Sequence, residues 1–327
     1  MIQFVFMKVS VIICSYSMGR YDSFAETINS VLAQTYDSLE LVIVVDGNKV
    51  VYDRVTEEFS DQENITFHLN EENKGISASR TIGAEIASGE VVAMIDDDAT
   101  AESDWIENLL ETYTTTDALA VGGIVMPNWV EEKPAFFPEE FYWLVGCNER
   151  GFGEHGEEVR NTYGSNISFK REPFLSVGGY DTRTGRKGSK HIQAHEAPVG
   201  IRLRNKFDKG VVYNTNAVVH HKLFEYRADP WWLTQRSFWQ GYSKRIMDLI
   251  LPEAKADKND YLQQLLLVFV PMRVKKCIKS RSLVQLQQLV MIFIFTVATS
   301  TGYLYGMLKM YTENELPKIQ SVDGESN

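Results

Sequence analysis

The 327 residues carry 33 basic and 44 acidic side chains, a net charge of −11, with 44% hydrophobic and 12% aromatic residues. That balance supports one sizeable core, or a core plus a smaller appendage, and excludes a disordered, collagen-like or disulfide-stapled chain. The acidity excludes a broad electrostatic grip on nucleic acid. Three widely spaced cysteines, Cys14, Cys147 and Cys277, form neither a disulfide framework nor a metal-type pair, as expected in a reducing compartment.

Residues 1–7 are apolar but short and lack a basic leader, so no signal peptide is expected. The runs VSVIIC (9–14) and LVIVV (41–45) are β-branched and too short for helices; both read as buried parallel strands. Between them Phe24, Ile28, Val31 and Leu32 lie at helical spacing, and Gln34-Thr35-Tyr36 closes that helix. Strands are predicted at 65–69 and 91–95 around a helix at 76–87, with a fifth strand at 118–121. Such alternation gives a doubly wound α/β sheet with right-handed crossovers.

Residues 127–163, rich in Gly, Pro, aromatics and acids, read as a long irregular connection that could close over a site. Mixed strand and helix return over 169–221, with strands at 211–213 and 217–219. An aromatic, amphipathic segment follows at 226–248. After the apolar run LLLVFVPM (265–272) come Arg273, Lys275, Lys276, Lys279 and Arg281. Residues 289–308 contain no charge and are long enough to cross a hydrocarbon core. Thr296, Thr299, Ser300, Thr301 and Gly302 dilute the run, so a span, a buried helix and a helix lying on the membrane surface all fit it. Basic residues beside such a run favour a cytoplasmic, anionic lipid surface. The last residues, from 314, are polar.

Ligands of open α/β sheets bind beyond the carboxyl ends of the strands. Here those ends carry Ser15-Tyr16, Asp46-Gly47-Asn48 and Asp96-Asp97-Asp98. Three consecutive carboxylates repel one another unless a cation offsets them, and hard oxygen ligands select Mg²⁺ or Mn²⁺. Side chains alternate in an extended segment, so Asp96 and Asp98 share a face while Asp97 points away. In NKGISASR (73–80), Gly75 suits a helix entry and Arg80 supplies a planar fork for a phosphate or base carbonyl. His191 and His195 stand four apart, but without an HExxH motif they are a poor zinc pair.

These features resemble glycosyltransferase family 2, nucleotide-sugar transferases of the GT-A type. The match lies in the order VSVIICSYS, SVLAQTYDSLELVIVVDGN, NKGISASRTIGAEIASGEVVAMIDDD, then YGSNISFKR (163–171) and VGGYD (177–181). The resemblance covers about residues 8 to 221 and implies a GT-A Rossmann-like, mostly parallel sheet flanked by helices, with a nucleotide-sugar-binding half at 8–125 and an acceptor and catalytic half at 126–225. Beyond it, the residues themselves read as an amphipathic, basic and apolar helical membrane-associated region at 226–313 and a polar tail at 314–327.

By the same resemblance, Ser15, Tyr16, Asp46, Arg80, Asp96 and Asp97 belong to the donor site, and Asp98 binds a divalent ion, Mg²⁺ or Mn²⁺. Gly178, Gly179 and Asp181 lie on the acceptor side. The general base of the family precedes an arginine by six residues, which places Glu196 ahead of Arg202, with Glu replacing the usual Asp and His195 the first acid. In VVHH (218–221) one histidine completes the metal site, His221 in preference to His220. The tail carries Gln235-Arg236-Ser237-Phe238-Trp239, which lacks the spacing of the Gln-x-x-Arg-Trp motif of processive synthases, so addition of a single sugar is expected.

The chain is similar, more narrowly, to archaeal transferases that extend dolichyl-phosphate-linked glycans for protein N-glycosylation, including a hexuronic acid transferase. This implies an inverting enzyme at the cytoplasmic face of the cell membrane, using a UDP-sugar donor and a dolichyl- or polyprenyl-phosphate-linked saccharide acceptor. Arg183, Arg186, Lys187 and Lys190 are candidates to meet a hexuronate carboxylate. Two rival readings are a polyprenyl-phosphate monosaccharide synthase and a non-catalytic scaffold of the same fold. Intact carboxylates at Asp96, Asp98 and Glu196 count against the scaffold.

Overall fold

The computed structural model describes residues 7–148, 153–159, 162–180, 197–250 and 263–313. Its first strands follow from apolar, β-branched sequence: β1 (Val9–Ser15) is buried along its whole length, as is most of β2 (Leu39–Asp46). Helices α1 (Tyr21–Leu32), α2 (Lys49–Glu58) and α3 (Ile76–Ile86) alternate with β3 (Ile65–Asn70) and β4 (Val91–Asp96). The short β5 (Ala99–Ala101) leads into α4 (Trp105–Thr115) and then β6 (Ala120–Trp129). After β7 (Glu158–Val159) and β8 (Ile167–Lys170) come α5 (Arg171–Ser176), α6 (Ala197–Phe207) and β9 (Val211–Leu223).

Among the described residues the strands form one sheet in the order β3-β2-β1-β4-β8-β6-β9-β5, with β7 on β9. The long pairings β1/β2, β1/β4, β2/β3 and β6/β9 are parallel; the pairings made by β8, β5 and β7 are antiparallel and short. Successive residues of β1 serve opposite faces. Val9, Val11 and Ile13 pack with α1, α2 and α4, while Ile12 and Cys14 pack with α3, α5 and α6. Gly83 brings α3 down onto the sheet, since a β-carbon there would lie 2.6 Å from the Ile12 side chain.

Two expectations need adjustment. The strands expected at 211–213 and 217–219 are one strand, β9, whose register against β6 shifts between Gly123 and Ile124. Opposite that step β9 moves from Asn214 to Val218, so three residues are unmatched. An odd insertion reverses the faces: Val211 and Tyr213 lie in one core layer, Ala217 and Val219 in the other. The connection at 127–163 is also less irregular than expected, because β6 runs to Trp129 and a 3₁₀ turn occupies Glu139–Val145. Phe137, Phe141, Leu144 and Cys147 of that segment are buried.

The chain divides into two compact units at Ala228/Asp229. The second contains α7 (Pro230–Ile250), a π turn at Leu265–Phe269, α8 (Val270–Ser280) and α9 (Leu283–Glu313). Within it α7 and α9 pack through glycines. A β-carbon on Gly241 would strike the Thr299 backbone, and one on Gly302 would strike that of Phe238. The segment Leu283–Lys309 is, among the described residues, the one helix long and apolar enough to cross a membrane, with a mean hydropathy of 1.6.

Candidate active site

β1 pairs with β2 on one side and β4 on the other, which makes its carboxyl end the switch point of the sheet. Ser15 closes β1 there, and its hydroxyl donates to Asp97 Oδ2 at 2.6 Å. The Tyr16 ring is 57% exposed, and its carbonyl accepts from Asn48 Nδ2 at 2.8 Å. Asn48 is itself the N-cap of α2, accepting from the amides of Val50 and Val51.

Asp46 ends β2 buried and fully engaged. Oδ1 accepts from Asn70 Nδ2 and the Lys74 amide, both at 2.9 Å, and Oδ2 accepts from the Gly75 amide at 2.8 Å. Gly47 permits this closeness, because its φ is +70° and a β-carbon there would meet the Asn73 backbone. Asp46 therefore holds the 73–75 loop at the entry of α3. Arg80, on that helix, is buried. Its Nη2 donates to Asp96 Oδ1 at 2.5 Å and to the Gly164 carbonyl at 3.0 Å, and its guanidinium lies 5.5 Å from the Tyr180 ring centre.

The turn after β4 separates the three aspartates. Asp97 faces Ser15, whereas Asp96, Asp98 and His221 bring their ligand atoms within 4.8 Å of one another. His221 Nε2 lies 3.1 Å from Asp98 Oδ1. His220 points elsewhere, to Glu102 Oε1 at 2.5 Å. Asp98 Oδ2 accepts from Arg20 Nη1 at 3.2 Å and from Arg227 Nη2 at 3.1 Å, and Arg227 Nη1 is 2.9 Å from His221 Nε2.

Charge follows from this crowding. Burial works to raise the Asp98 pKa, yet His221 foremost, then Arg227 and Arg20, hold it below the usual carboxylate range. Asp97 goes the other way. Burial and the Asp98 and Asp96 charges push it up to about 7, against the Ser15 hydrogen bond. Burial also pushes the Cys14 thiol up, which makes it a poor nucleophile. Two carboxylates and one imidazole suit a divalent ion with a taste for oxygen. The ring atom placed for such an ion is His221 Nε2, 3.1 Å from Asp98 Oδ1.

Sequence reasoning missed Arg20 and Arg227. Arg20 ends the short 3₁₀ turn ahead of α1, and Arg227 lies in the turn Glu225–Ala228 after β9. Neither sits in a motif; only the fold brings them to Asp98. On the acceptor side, Gly178 and Gly179 both have positive φ, +82° and +60°. Arg202 on α6 ties this turn down, donating to the Val177 carbonyl at 2.7 Å and to the Gly179 carbonyl. Thr81 Oγ1 accepts from the Tyr180 amide at 3.0 Å. Asp181, Arg183, Arg186, Lys187, Lys190, His191, His195 and Glu196 lie outside the described residues.

A mostly parallel sheet whose switch point carries an Asp-Asp-His group and flanking arginines is that of a GT-A glycosyltransferase. The chain belongs to glycosyl transferase family 2, whose profile matches residues 10–178. It is 65% identical over 303 residues to the glucosyl-dolichyl phosphate glucuronosyltransferase of Haloferax volcanii, an alignment spanning 92% of this chain and 97% of that one. Among solved structures it resembles the mannosyltransferase PcManGT of Pyrobaculum calidifontis in complex with GDP-Man and Mn²⁺, with a TM-score of 0.54 at 17% identity, covering 91% and 87% of the two chains. GalNAc-T7 with UDP, GalNAc and Mn²⁺ superposes with a TM-score of 0.53 at 15% identity, covering 76% of this chain and 51% of that one. At such identities the structural likeness concerns the fold. The expected membership of glycosyltransferase family 2, the GT-A fold and the resemblance to archaeal dolichyl-phosphate glycosyltransferases are met.

Proposed function

We propose that this protein transfers one glucuronosyl group, with inversion, from a UDP-linked donor to glucosyl dolichyl phosphate at the cytoplasmic face of the cell membrane. One observation carries the reading: 65% identity to the glucuronosyltransferase along nearly the full length of both chains.

The residue roles are inferred from the geometry and the family pattern. Ser15 and the exposed Tyr16 ring receive the base, with Asp46 holding the 73–75 loop against the nucleotide. Arg80 fixes Asp96 toward the ribose, and Asp97 braces the same turn through Ser15. Asp98 and His221, with Asp96 beside them, would hold Mg²⁺ or Mn²⁺; an imidazole ligand favours Mn²⁺. When bound, that ion offsets the charge of the diphosphate leaving group. Arg20 and Arg227, already at Asp98, would turn to the diphosphate oxygens.

Glu196, directly ahead of α6 in sequence, would accept the proton of the acceptor hydroxyl. As the hydroxyl oxygen bonds to the anomeric carbon on the face opposite the diphosphate, the carbon–oxygen bond to the diphosphate breaks and its electron pair leaves with UDP. A single displacement inverts that carbon. Gly178, Gly179 and Asp181 would border the acceptor, and the basic residues among 183–190 would meet the donor carboxylate.

The test offers purified protein in detergent a panel of UDP- and GDP-sugars with Mn²⁺ or Mg²⁺, and glucosyl dolichyl phosphate or bare dolichyl phosphate. Transfer of glucuronate to the glucosyl lipid, lost in Asp98→Ala and Glu196→Gln, is the expected result. A sugar–phosphate bond on the bare lipid would replace this reading with a monosaccharide synthase. Absence of turnover and of nucleotide binding with any ion would leave a scaffold.

A further inference from the structure

The second compact unit carries a surface that an aqueous protein does not keep. Over residues 263–309 there are six basic side chains, Arg273, Lys275, Lys276, Lys279, Arg281 and Lys309, and no acidic one, in a chain of net charge −11. On α9, Leu283, Leu286, Val290, Phe293, Leu304 and Leu308 are all exposed, at spacings that place them along one side of the helix. Leu266, Leu267 and Val268 of the π turn are exposed too. On α8, exposed Val274 and Ile278 interleave with exposed Lys275 and Lys279. Contiguous apolar surface edged by lysine matches an anionic bilayer.

Whether α9 crosses that bilayer is decided by what covers its other side. Gly241 of α7 packs on Thr299, close to the middle of the uncharged stretch 289–308. Gly302 packs on Phe238, and Gly306 on the Arg245 side chain. Were α9 to span, Gly241 would lie near mid-depth. At about 1.5 Å of rise per residue, Lys244 and Arg245 would then fall within about 6 Å of it along the helix. Asp248, whose carboxylate accepts from Tyr303 Oη at 2.8 Å, would follow a turn later. Lys244 is exposed and would face the acyl chains directly. Two basic side chains and a carboxylate so near mid-depth would make it costly for α7 to lie in hydrocarbon.

We propose that α9 lies in the plane of the membrane: its leucine- and valine-rich stripe enters the acyl boundary, α7 stays toward water, and α8 with Arg281 rests on anionic headgroups. The proposal refines the membrane location assigned above and shares that premise, but its test needs no sugar transfer. The full chain, with epitopes at both termini, is added to sealed vesicles of phosphatidylcholine with or without phosphatidylglycerol and treated with protease from outside. Both epitopes should be digested together. Binding should be at least tenfold stronger with phosphatidylglycerol, and Lys275→Glu with Lys276→Glu and Lys279→Glu should abolish that preference.

Protection of the C-terminal epitope while the N-terminal one is digested would establish a span and overturn the proposal. Failure to bind either vesicle would overturn it as well. A protein that binds in plane yet transfers no sugar would sink the functional reading and leave this one standing.

Discussion

At Asp98 a single carboxylate gathers His221, Arg227 and Arg20. The two arginines supply there the positive charge that a divalent ion would also supply, so arginine and ion compete for the same oxygens. Arg227→Gln should therefore raise the Mn²⁺ affinity of the donor-free protein about fivefold, the equivalent of about 1 kcal/mol. Electron paramagnetic resonance of free Mn²⁺ measures this directly; a weakened affinity would instead make Arg227 a support for the His221 ring. Glu40 offers a test of stability. It accepts from Ser10 Oγ, the Ser88 amide and Ser88 Oγ at 2.6, 2.7 and 2.6 Å, with Lys8 Nζ 2.6 Å away. Burial opposes its charge, but Lys8, Ser10 and Ser88 hold its pKa down at about 2, from an ordinary 4.5. A lowered folded pKa adds stability above the unfolded value and loses it as pH falls through the folded one. Glu40→Gln should cost about 1–2 kcal/mol at pH 7 after allowance for solvent screening, and the difference should shrink from pH 4.5 toward pH 2 in denaturant titrations.

Among the elements, legibility tracked how far a segment explains itself. The runs 9–14, 41–45 and 91–95 show as strands because they are buried on both faces and so uniformly apolar. Helix α2, KVVYDRVTEE, passed unrecognised because it buries little more than Val51 and Val55 and is polar elsewhere. Helix α4 was missed as well, although Trp105, Ile106, Leu109, Leu110 and Tyr113 mark its buried face. The strand-end motifs showed plainly, whereas Arg20 and Arg227 are visible only in three dimensions. Asn166 belongs to that second group: buried, it accepts from Trp105 Nε1 at 2.9 Å and donates to the carbonyls of Ile124 and Ala217. Asn166→Leu should cost about 3 kcal/mol, since it strands an indole and two carbonyls, and the Trp105 emission should report it. For the α7–α9 pair, Gly302→Leu should destabilise the second unit by about 2 kcal/mol or more, read as faster proteolysis in detergent, because the Phe238 backbone leaves no room for the side chain.

For the whole molecule, two compact units with separate cores predict two unfolding steps. The step that belongs to the second unit should move upward with added lipid, which covers its apolar face, and the other should stay. Trp105→Phe should shift only the step of the first unit, by about 2 kcal/mol, through the lost indole hydrogen bond and a small cavity. Differential scanning calorimetry with and without anionic vesicles resolves the two; a single transition displaced by both treatments would mean that the units unfold as one.

The unmatched residues of β9 opposite Gly123 and Ile124 set a counting rule for this chain. Because they are odd in number, the distance from Tyr213 to His221 determines which of two adjacent histidines meets Asp98. Gain of a single residue between Tyr213 and Val218 would bring His220 to the place of His221, and loss of one would bring Lys222 there, while the strand sequence that follows stays intact. Relatives that keep this site should therefore vary in length there by pairs of residues, and an engineered deletion of Asn216 should impair ion binding more than any single substitution within the bulge.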